Sequence, residues 1–430
     1  MFRNYSEDGP ALLTDPESKI RGHFVLENTT ATIANTLRRC ILTHTRSVGF
    51  RADLTNNEDP GVKIRKNTGI IFNEMLAHRI TLIPVGIRDI DNFDPKRYEC
   101  VLRVRNDTSG PVHGDTLRHV KASDFVIREQ QTDGIFADLG PEATAAMFPA
   151  DPITKETTLI TTLRPQWNSE QPAEEIDLTA YPIIGTGQTF IGFSPVSQCS
   201  YGNTLDEDPV RQDRFFMEWL TDYKKIVDPT SVEKAIIDNY RKEWETMAIQ
   251  RCYLIDPATG EANSFTFTVE SVGIRPIPDI VAEGILAVVT LVSPYTDAST
   301  PLNELGMTIQ PTNNRMENSV DILFADQEHT LGNLLQTMAT EIYLDTLPGQ
   351  NAPLDAPITF AGYKIRHPLH KVATLTLGFR EGLGDTNALA RQVVATAAQR
   401  ARDIFEKLAS AWSAVSGLGE EATGGVTLEG

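Results

Sequence analysis

Twice in this chain a segment of alternating apolar and polar residues runs straight into an amphipathic helix, and each helix carries a Thr-Leu pair near its start. The first unit is KIRGHFVLEN (19–28) followed by ATIANTLRRCIL (31–42); the second is SVDILFAD (319–326) followed by EHTLGNLLQTM (328–338). A period of two marks a strand with one buried face, and spacings of three and four mark a helix with one buried stripe. Ile20, Phe24 and Leu26 thus share a strand face in the first unit, as do Val320, Ile322 and Phe324 in the second. Ile33, Leu37, Cys40, Ile41 and His44 form the first helical stripe; Leu331, Leu334, Leu335, Met338 and Ile342 form the second. Thr29 or Thr30 is placed to cap the first helix. Asp326 is placed to cap the second, whose first turn holds Glu328 where the helix dipole favours an acid. Each stripe requires something to cover it.

The echo extends to the segments beyond each helix. SFTFTVESVG (264–273) and VATLTLGF (372–379) alternate again, and each leads to an apolar helical stretch: PDIVAEGILAVVTLV from 278, and a longer one over 387–412. The seam of the latter, Leu389, Val393, Ala397, Ala401, Ile404, Leu408 and Trp412, is long enough to lie along a second helix. Two amphipathic helices can share Thr-Leu by coincidence; the matching order of elements around them is the stronger signal.

Between the two units the chain changes character. From Val48 to Cys252 it is strand-rich and punctuated by turn signals at DPG (59–61), SGP (109–111) and GTG (185–187). Residues 209–250 depart from this, with Phe216, Trp219, Leu220 and Tyr223, then Val232, Ile236, Tyr240 and Trp244, at helical spacing; two helices are expected, broken at Pro229, with Thr230 or Ser231 as a cap. Residues 293–318, rich in Ser, Thr, Pro and Asn, have the composition of a linker, and a proline-containing loop follows the helix of the second unit.

At 430 residues the chain exceeds one ordinary core and should divide into two or three domains. The formal charge of -19 argues against a surface that wraps nucleic acid. No apolar signal-peptide core is seen at the N-terminus, and the most apolar window, 280–292, is short for a bilayer and contains Glu283, so an intracellular chain without a membrane span is expected. Cys40, Cys100, Cys199 and Cys252 show no C-x-x-C spacing, which leaves four reduced thiols as the expectation. No catalytic motif emerges. GFSPV (192–196) lacks the second glycine of a nucleophile elbow, GTGQTF (185–190) lacks the third glycine of a dinucleotide loop, and no phosphate loop is present. His367 and His370 stand three apart around Pro368 without a carboxylate or cysteine nearby, which suits a surface better than a metal, and LDEDP (205–209) suits a solvated turn. Arg38 and Arg39, on the flank of the first stripe, suit either a solvated face or docking forks for carboxylates. On residues alone, a metal-free enzyme with an unrecognised site competes with a scaffold.

The motif series resolves this towards the scaffold. ANTLRRCIL with GIIFNEMLAHRITLIPVGI (69–87), then TTLRPQW (161–167), GTGQTFIGFSPVSQCSY (185–201) and FTFTVESVG (265–273), resembles the third-largest subunit of eukaryotic RNA polymerase II, its archaeal D counterpart and the N-terminal part of bacterial alpha. DQEHTLGNLLQTM and FAGYKIRHPLHK are similar to the eleventh subunit, archaeal L. Two such sequences on one chain resemble the fused alpha-like subunits of large DNA viruses.

The resemblance implies an α+β fold of two alpha-like dimerisation modules pairing through helices. The first module would take 15–47 and 263–292, with a β-rich assembly domain inserted at 48–262; the second would take 319–415, after the linker at 293–318. It implies a non-catalytic scaffold whose partners are the largest, second-largest and smaller polymerase subunits, with no direct sequence-specific nucleic-acid binding. Ile33, Leu37, Ile41, Leu331, Leu334, Leu335 and Met338 would form the dimer interface. Arg38, Arg39, Asn73, Glu74, His78 and Arg79 would contact partner subunits. Where relatives carry metal-binding cysteines after L-I-P, residues 85–100 offer only Cys100, so no metal and no cofactor are expected. If the chain is viral, a virion or the host cytoplasm is implied, with the nucleus also open.

Overall fold

The computed structural model describes residues 1–52, 61–112, 116–168, 170–312, 316, 318–344, 356–367 and 369–417. Asp59 and Pro60 of the DPG signal, the proline-containing loop at 345–355, residues 313–315 and 317 of the expected linker, and Pro368 lie outside them. Among the described residues the α-helices are α1 (Ala31–Thr43), α2 (Asn73–Thr81), α3 (Pro141–Met147), α4 (Pro209–Trp219), α5 (Lys234–Met247), α6 (Ile277–Val292), α7 (His329–Tyr343) and α8 (Thr386–Ser416). Helices and sheets interleave along the whole chain, as an α+β fold requires.

Alternation in the first unit becomes a four-stranded antiparallel sheet ordered Phe2–Ala11, Lys19–Glu27, Ser264–Ser271, Val196–Asn203. Phe24 sits opposite Phe267 and Leu26 opposite Phe265 in the ladder, so the apolar side chains of both strands share one face. The Phe24 and Phe267 rings stack at 4.9 Å. On the other face Arg21 pairs with Glu270 at 3.0 Å and His23 Nδ1 lies 3.1 Å from Thr268 Oγ1. α1 and α6 cover the apolar face. The second unit repeats the plan: Met307–Pro311, Ser319–Ala325, Val372–Phe379 and Ile358–Ile365 form a four-stranded antiparallel sheet in that order, covered by α7 and α8.

A separate core lies between these units in the chain. The sheet ordered Val62–Asn67, Glu174–Ala180, Tyr98–Asn106, Phe125–Gln130, Phe136–Asp138 packs with α2 and α3 around Phe50, Phe125 and Phe148. Strand Arg46–Gly49, pairing with Ile183–Thr186, leads into and out of this region. Glu283, the one acid in the apolar window, ties it to α6: its carboxylate accepts from the Arg46 backbone nitrogen at 2.9 Å and from Arg275 Nη1 at 2.5 Å. Arg46 reaches on to Asp91 at 2.8 Å. The charge is thus paired on the flank of the α6 stripe, midway along the helix, which offsets the cost of a largely buried carboxylate.

Several expectations need correction. The segment expected as a linker contains the ordered strand Met307–Pro311, whose Met307 and Ile309 oppose Phe324 and Ile322. It is an edge strand, which tolerates the proline that made the segment read as irregular. Strand Val196–Asn203, placed by sequence in the inserted domain, belongs to the first sheet, and the first strand, Phe2–Ala11, begins before the boundary at 15. Asp326 does not cap α7: it adopts φ 57°, and Glu328 takes the cap position without a side-chain bond. Thr30 takes the cap position of α1, also without one. In the helical insert α5 starts after Glu233, while Asp228 caps a short 3-10 turn at Pro229–Ser231. LDEDP is no solvated turn; Asp206 is buried against Arg211, and Asp208 caps α4 by accepting from the Val210 backbone nitrogen at 3.0 Å. α6 continues into a 3-10 turn, and the resulting 19-residue helix over Ile277–Tyr295 has the length and composition to cross a bilayer. Here Ile277, Ile280, Val281, Ile285, Val288 and Val292 are buried inside the protein instead.

Candidate assembly interface

α1 presents Ile33, Leu37 and Ile41 on one stripe because these positions are separated by four residues, about one helical turn. α7 does the same with Leu331, Leu334, Leu335 and Met338. All seven are buried, none more than 2% exposed, in a single core that also contains Phe24, Ile285, Phe324, Phe405 and Trp412. The polar edges of the two helices fix their direction. Thr32 Oγ1 lies 3.2 Å from Thr337 Oγ1, and Arg39 Nε donates to Thr330 Oγ1 at 2.8 Å. The start of α1 thus meets the middle of α7 and the start of α7 meets the later part of α1, an antiparallel crossing in which the echoed threonine Thr330 is a contact.

α6 and α8 complete the core. A Cβ added at Gly284 would stand 2.5 Å from Ile41 Cγ1, so α6 approaches α1 more closely than any larger residue allows. Gly284→Leu is expected to destabilise the protein by about 1–3 kcal/mol through overpacking, and Ile41→Ala in the same chain should recover part of that loss in a urea melt. α8 has 31 residues and is therefore roughly 46 Å long, enough to pass from the second sheet to the first. Near its end Trp412 packs edge-on to Phe2, Tyr5 and Phe24, with ring centroids at 5.0, 5.2 and 5.0 Å, and its Nε1 donates to the Pro278 carbonyl at 2.9 Å. The buried stripe of α8 holds the expected Val393, Ala397, Ala401, Leu408 and Trp412 and adds Val394, Ala398 and Phe405; Leu389 and Ile404 lie at its partly buried margin.

The six residues expected to contact partner subunits separate into three kinds. Arg39 is engaged with Thr330 at the helix crossing, and Arg79 is engaged by the carbonyls of Ile160 at 2.5 Å and Leu159 at 2.9 Å, so both hold elements of this chain together. Arg38 donates from Nε and Nη2 to Asn35 Oδ1 at 3.1 and 2.9 Å and stays half-buried. Asn73 accepts from Asn67 Nδ2 at 3.0 Å, while Glu74 and His78 stand exposed on α2.

Sequence reasoning missed the apolar surface beside them. α2 buries Leu76, Ala77 and Ile80, and a 3.6-residue period then turns Met75, His78 and Leu82 to the opposite face, while Phe72, at the extended cap position before the helix, is exposed beside them. Phe72 is 63% and Leu82 59% exposed. Ile70 and Ile191 are also exposed, and the segment carrying Ile191 packs against α2, since a Cβ on Gly192 would stand 2.7 Å from the Thr81 carbonyl. A signal was present: a nine-residue helix with apolar residues on both faces can bury only one of them.

The two thiols of this core are held in their unreactive form. Burial pushes the thiols of Cys40 and Cys199 up to about 12, with Arg39 and Arg38 respectively pulling the other way, so both remain protonated at neutral pH and are poor nucleophiles and metal ligands. Among the described residues no group of three His, Cys, Asp or Glu side chains is arranged to hold a metal ion. His367 and His370 sit with ring centroids 5.1 Å apart in the turn between Ile358–Ile365 and Val372–Phe379.

Sheets covered by mutually packed helices, beside an exposed apolar helix face, define an α+β protein built around helix packing and surface contact. The chain belongs to the RNA polymerase Rpb3/Rpb11 dimerisation domain family, whose model matches residues 23–290, more than half of its length. It is 29% identical over 201 residues to the DNA-directed RNA polymerases I and III subunit RPAC1 of Saccharomyces cerevisiae, covering 42% of this chain and 52% of that one. It is 35% identical over 81 residues to the DNA-directed RNA polymerase subunit Rpo3 of Methanopyrus kandleri, covering 19% and 26%. To the DNA-directed RNA polymerase II subunit RPB3 of Schizosaccharomyces pombe it is 38% identical over 78 residues, covering 18% and 23%. The chain thus spans about half the length of the yeast relative and about a quarter of the other two. The family match contains α1 and α2, ends within the last turn of α6 and stops before α7.

Proposed function

We propose that this chain is a non-catalytic assembly subunit of a multisubunit DNA-directed RNA polymerase, in which two alpha-like modules joined end to end form an intramolecular dimer. The observation that carries this reading is the antiparallel crossing of α1 and α7 inside one apolar core, each helix covering a four-stranded sheet of the same plan. In this reading the second module runs from the edge strand at Met307 to the end of α8, and the first has the five-stranded sheet and the α4–α5 hairpin as insertions. Joining the modules replaces a bimolecular encounter by an intramolecular one, with an effective concentration on the order of millimolar for a short tether, so pairing becomes independent of protein concentration. The arrangement is similar to that of the fused subunits of large DNA viruses. Four buried, unpaired thiols suit a reducing compartment such as a cytoplasm or nucleus.

The largest and second-largest polymerase subunits are the partners this reading requires, with smaller subunits around them. Support comes from the relatives, all named as polymerase subunits, and from the apolar surface at α2, where Phe72, Met75 and Leu82 are each more than half exposed. The charge of -19 suits contact with protein better than with nucleic acid. Affinity purification of the tagged chain from its native source tests the proposal. The wild type should recover two very large subunits together with templated RNA synthesis, which the chain alone should lack. A Phe72→Ser, Met75→Ser, Leu82→Ser variant should keep its melting temperature and lose at least about tenfold of that recovery, because exposed apolar anchors of this kind each contribute more than 1 kcal/mol when buried by a partner. Nucleotide polymerisation by the isolated chain, or recovery without any polymerase subunit, would refute the reading.

A further inference from the structure

The α4–α5 hairpin is the part of the molecule that the assembly reading leaves without a task. Its core is small, built on Phe216, Leu220, Trp244, Ala248 and Cys252, with the partly buried rings of Phe215, Trp219 and Tyr240 packed at its margin and Tyr223 exposed beside them. Phe215, Trp219 and Tyr223 recur every four residues along α4 and the π turn Leu220–Lys224 that extends it, and the last two stack with centroids 6.3 Å apart. They line a slot of about 150 Å³ whose other boundaries are Trp244, Ala248, Arg251 and the carboxylates of Glu218 and Asp222. That volume accommodates one planar group of about benzene's size.

The hairpin shows what its rings prefer. Lys224 Nζ lies 5.1 Å from the centre of Trp219 and 4.7 Å from that of Tyr240; the Arg241 guanidinium lies 4.8 Å from Phe216 and 5.0 Å from Trp244. In the slot itself Arg251 lies 5.3 Å from the Tyr223 ring and donates to its hydroxyl. Arg251 and Tyr223 are both exposed, so this contact opens without disturbing the core. Asp222 has no ion-pair partner among the described residues, and Glu218 has only the exposed Arg214 at 3.7 Å. Stacked rings bind a guanidinium face, and free carboxylates at the rim accept its in-plane N–H groups.

We infer that this slot binds the arginine side chain of a basic peptide segment from another protein, with Arg251 as a resident that the incoming arginine displaces. The inference is independent of whether the chain assembles into a polymerase, because it concerns a surface of the hairpin alone. The four tryptophans make the test local. In the full chain labelled with nitrogen-15 at tryptophan, the peptide acetyl-Gly-Ser-Arg-Ser-Gly-amide should shift the indole signals of Trp219 and Trp244 saturably and leave Trp167 and Trp412 in place. The same peptide with citrulline, which keeps the plane and loses the charge, should bind about tenfold more weakly, as should the Tyr223→Leu variant, which changes no charge. Arg251→Ala should bind several times more tightly because the resident is gone. Equal binding of the citrulline peptide, shifts at all four indoles, or an Arg251→Ala variant no tighter than wild type would overturn the inference. A lysine peptide that binds as well as the arginine peptide would also overturn it, by showing charge without guanidinium recognition.

Discussion

Replacing Leu37 by aspartate should be among the most damaging single changes in this protein. Leu37 is fully buried where α1 meets the rest of the shared core, so a carboxylate there either stays charged without a partner or takes up a proton; both routes cost several kcal/mol. Against a total stability of about 5–15 kcal/mol that loss leaves little in reserve. Circular dichroism should show the melting temperature lowered by about 5 °C or more, and Leu331→Asp, placed across the crossing on α7, should do the same. A second measurement isolates the pairing from the fold. With a protease site inserted at the exposed turn around Asp297–Ser299, the nicked wild type should elute as one species, whereas either variant should release two. If both nicked variants eluted intact, α1 and α7 would not hold the halves together.

Trp412→Ala should come close to it. The indole fills the space between Phe2, Tyr5 and Phe24 of the first sheet, and removing a ring of that size from a closed core costs about 3–5 kcal/mol. Trp412→Phe is the milder change, since it keeps an aromatic ring while giving up part of the packed volume and the bond from Nε1 to Pro278, worth about 1 kcal/mol. Urea denaturation should therefore rank the proteins wild type, Phe variant, Ala variant, with the larger step between the last two. An alanine variant as stable as wild type would mean that the end of α8 does not anchor the second half to the first. Trp412 packs on Phe2, Tyr5 and Phe24 and bonds to Pro278, all in the first half, so its loss should also favour release of the halves after nicking.

Much of this site was legible in the chain itself. Strand faces such as Phe24 with Leu26, and helix stripes such as Leu331, Leu334, Leu335 and Met338, follow from periods of two and 3.6, and every one of these side chains is buried. Individual end residues were less legible. Asp326 has the side chain of a cap, yet its φ of 57° places it in the turn before the helix, and Asp228 serves a 3-10 turn instead of α5. A capping side chain competes among several backbone donors within a few residues, and the choice depends on how the chain enters the helix.

Contacts between distant segments were legible only as a need. Composition made 293–318 read as a linker because Ser, Thr, Pro and Asn weaken any period, but Met307 and Ile309 find Phe324 and Ile322 beside them and become a strand. Arg38 and Arg39 are adjacent and chemically identical, yet one bonds within its own helix to Asn35 and the other crosses to Thr330, since successive residues on a helix point about 100° apart. The apolar face of α2 was hidden for the same reason: periodicity shows that a helix has apolar residues on two sides, but not which side the sheet will take.

The sequence by itself therefore determined the repeated strand–helix units, their buried faces and the family to which the chain belongs, because those depend on local spacing and on motif order. Only the tertiary structure decided that α1 and α7 cross antiparallel, that Gly284 seats α6 closely on α1, that Trp412 anchors α8 on the first unit, and that Phe72, Met75 and Leu82 are left more than half exposed. Burial against a remote partner is a property of three-dimensional packing, and no local pattern specifies which of two apolar faces receives it.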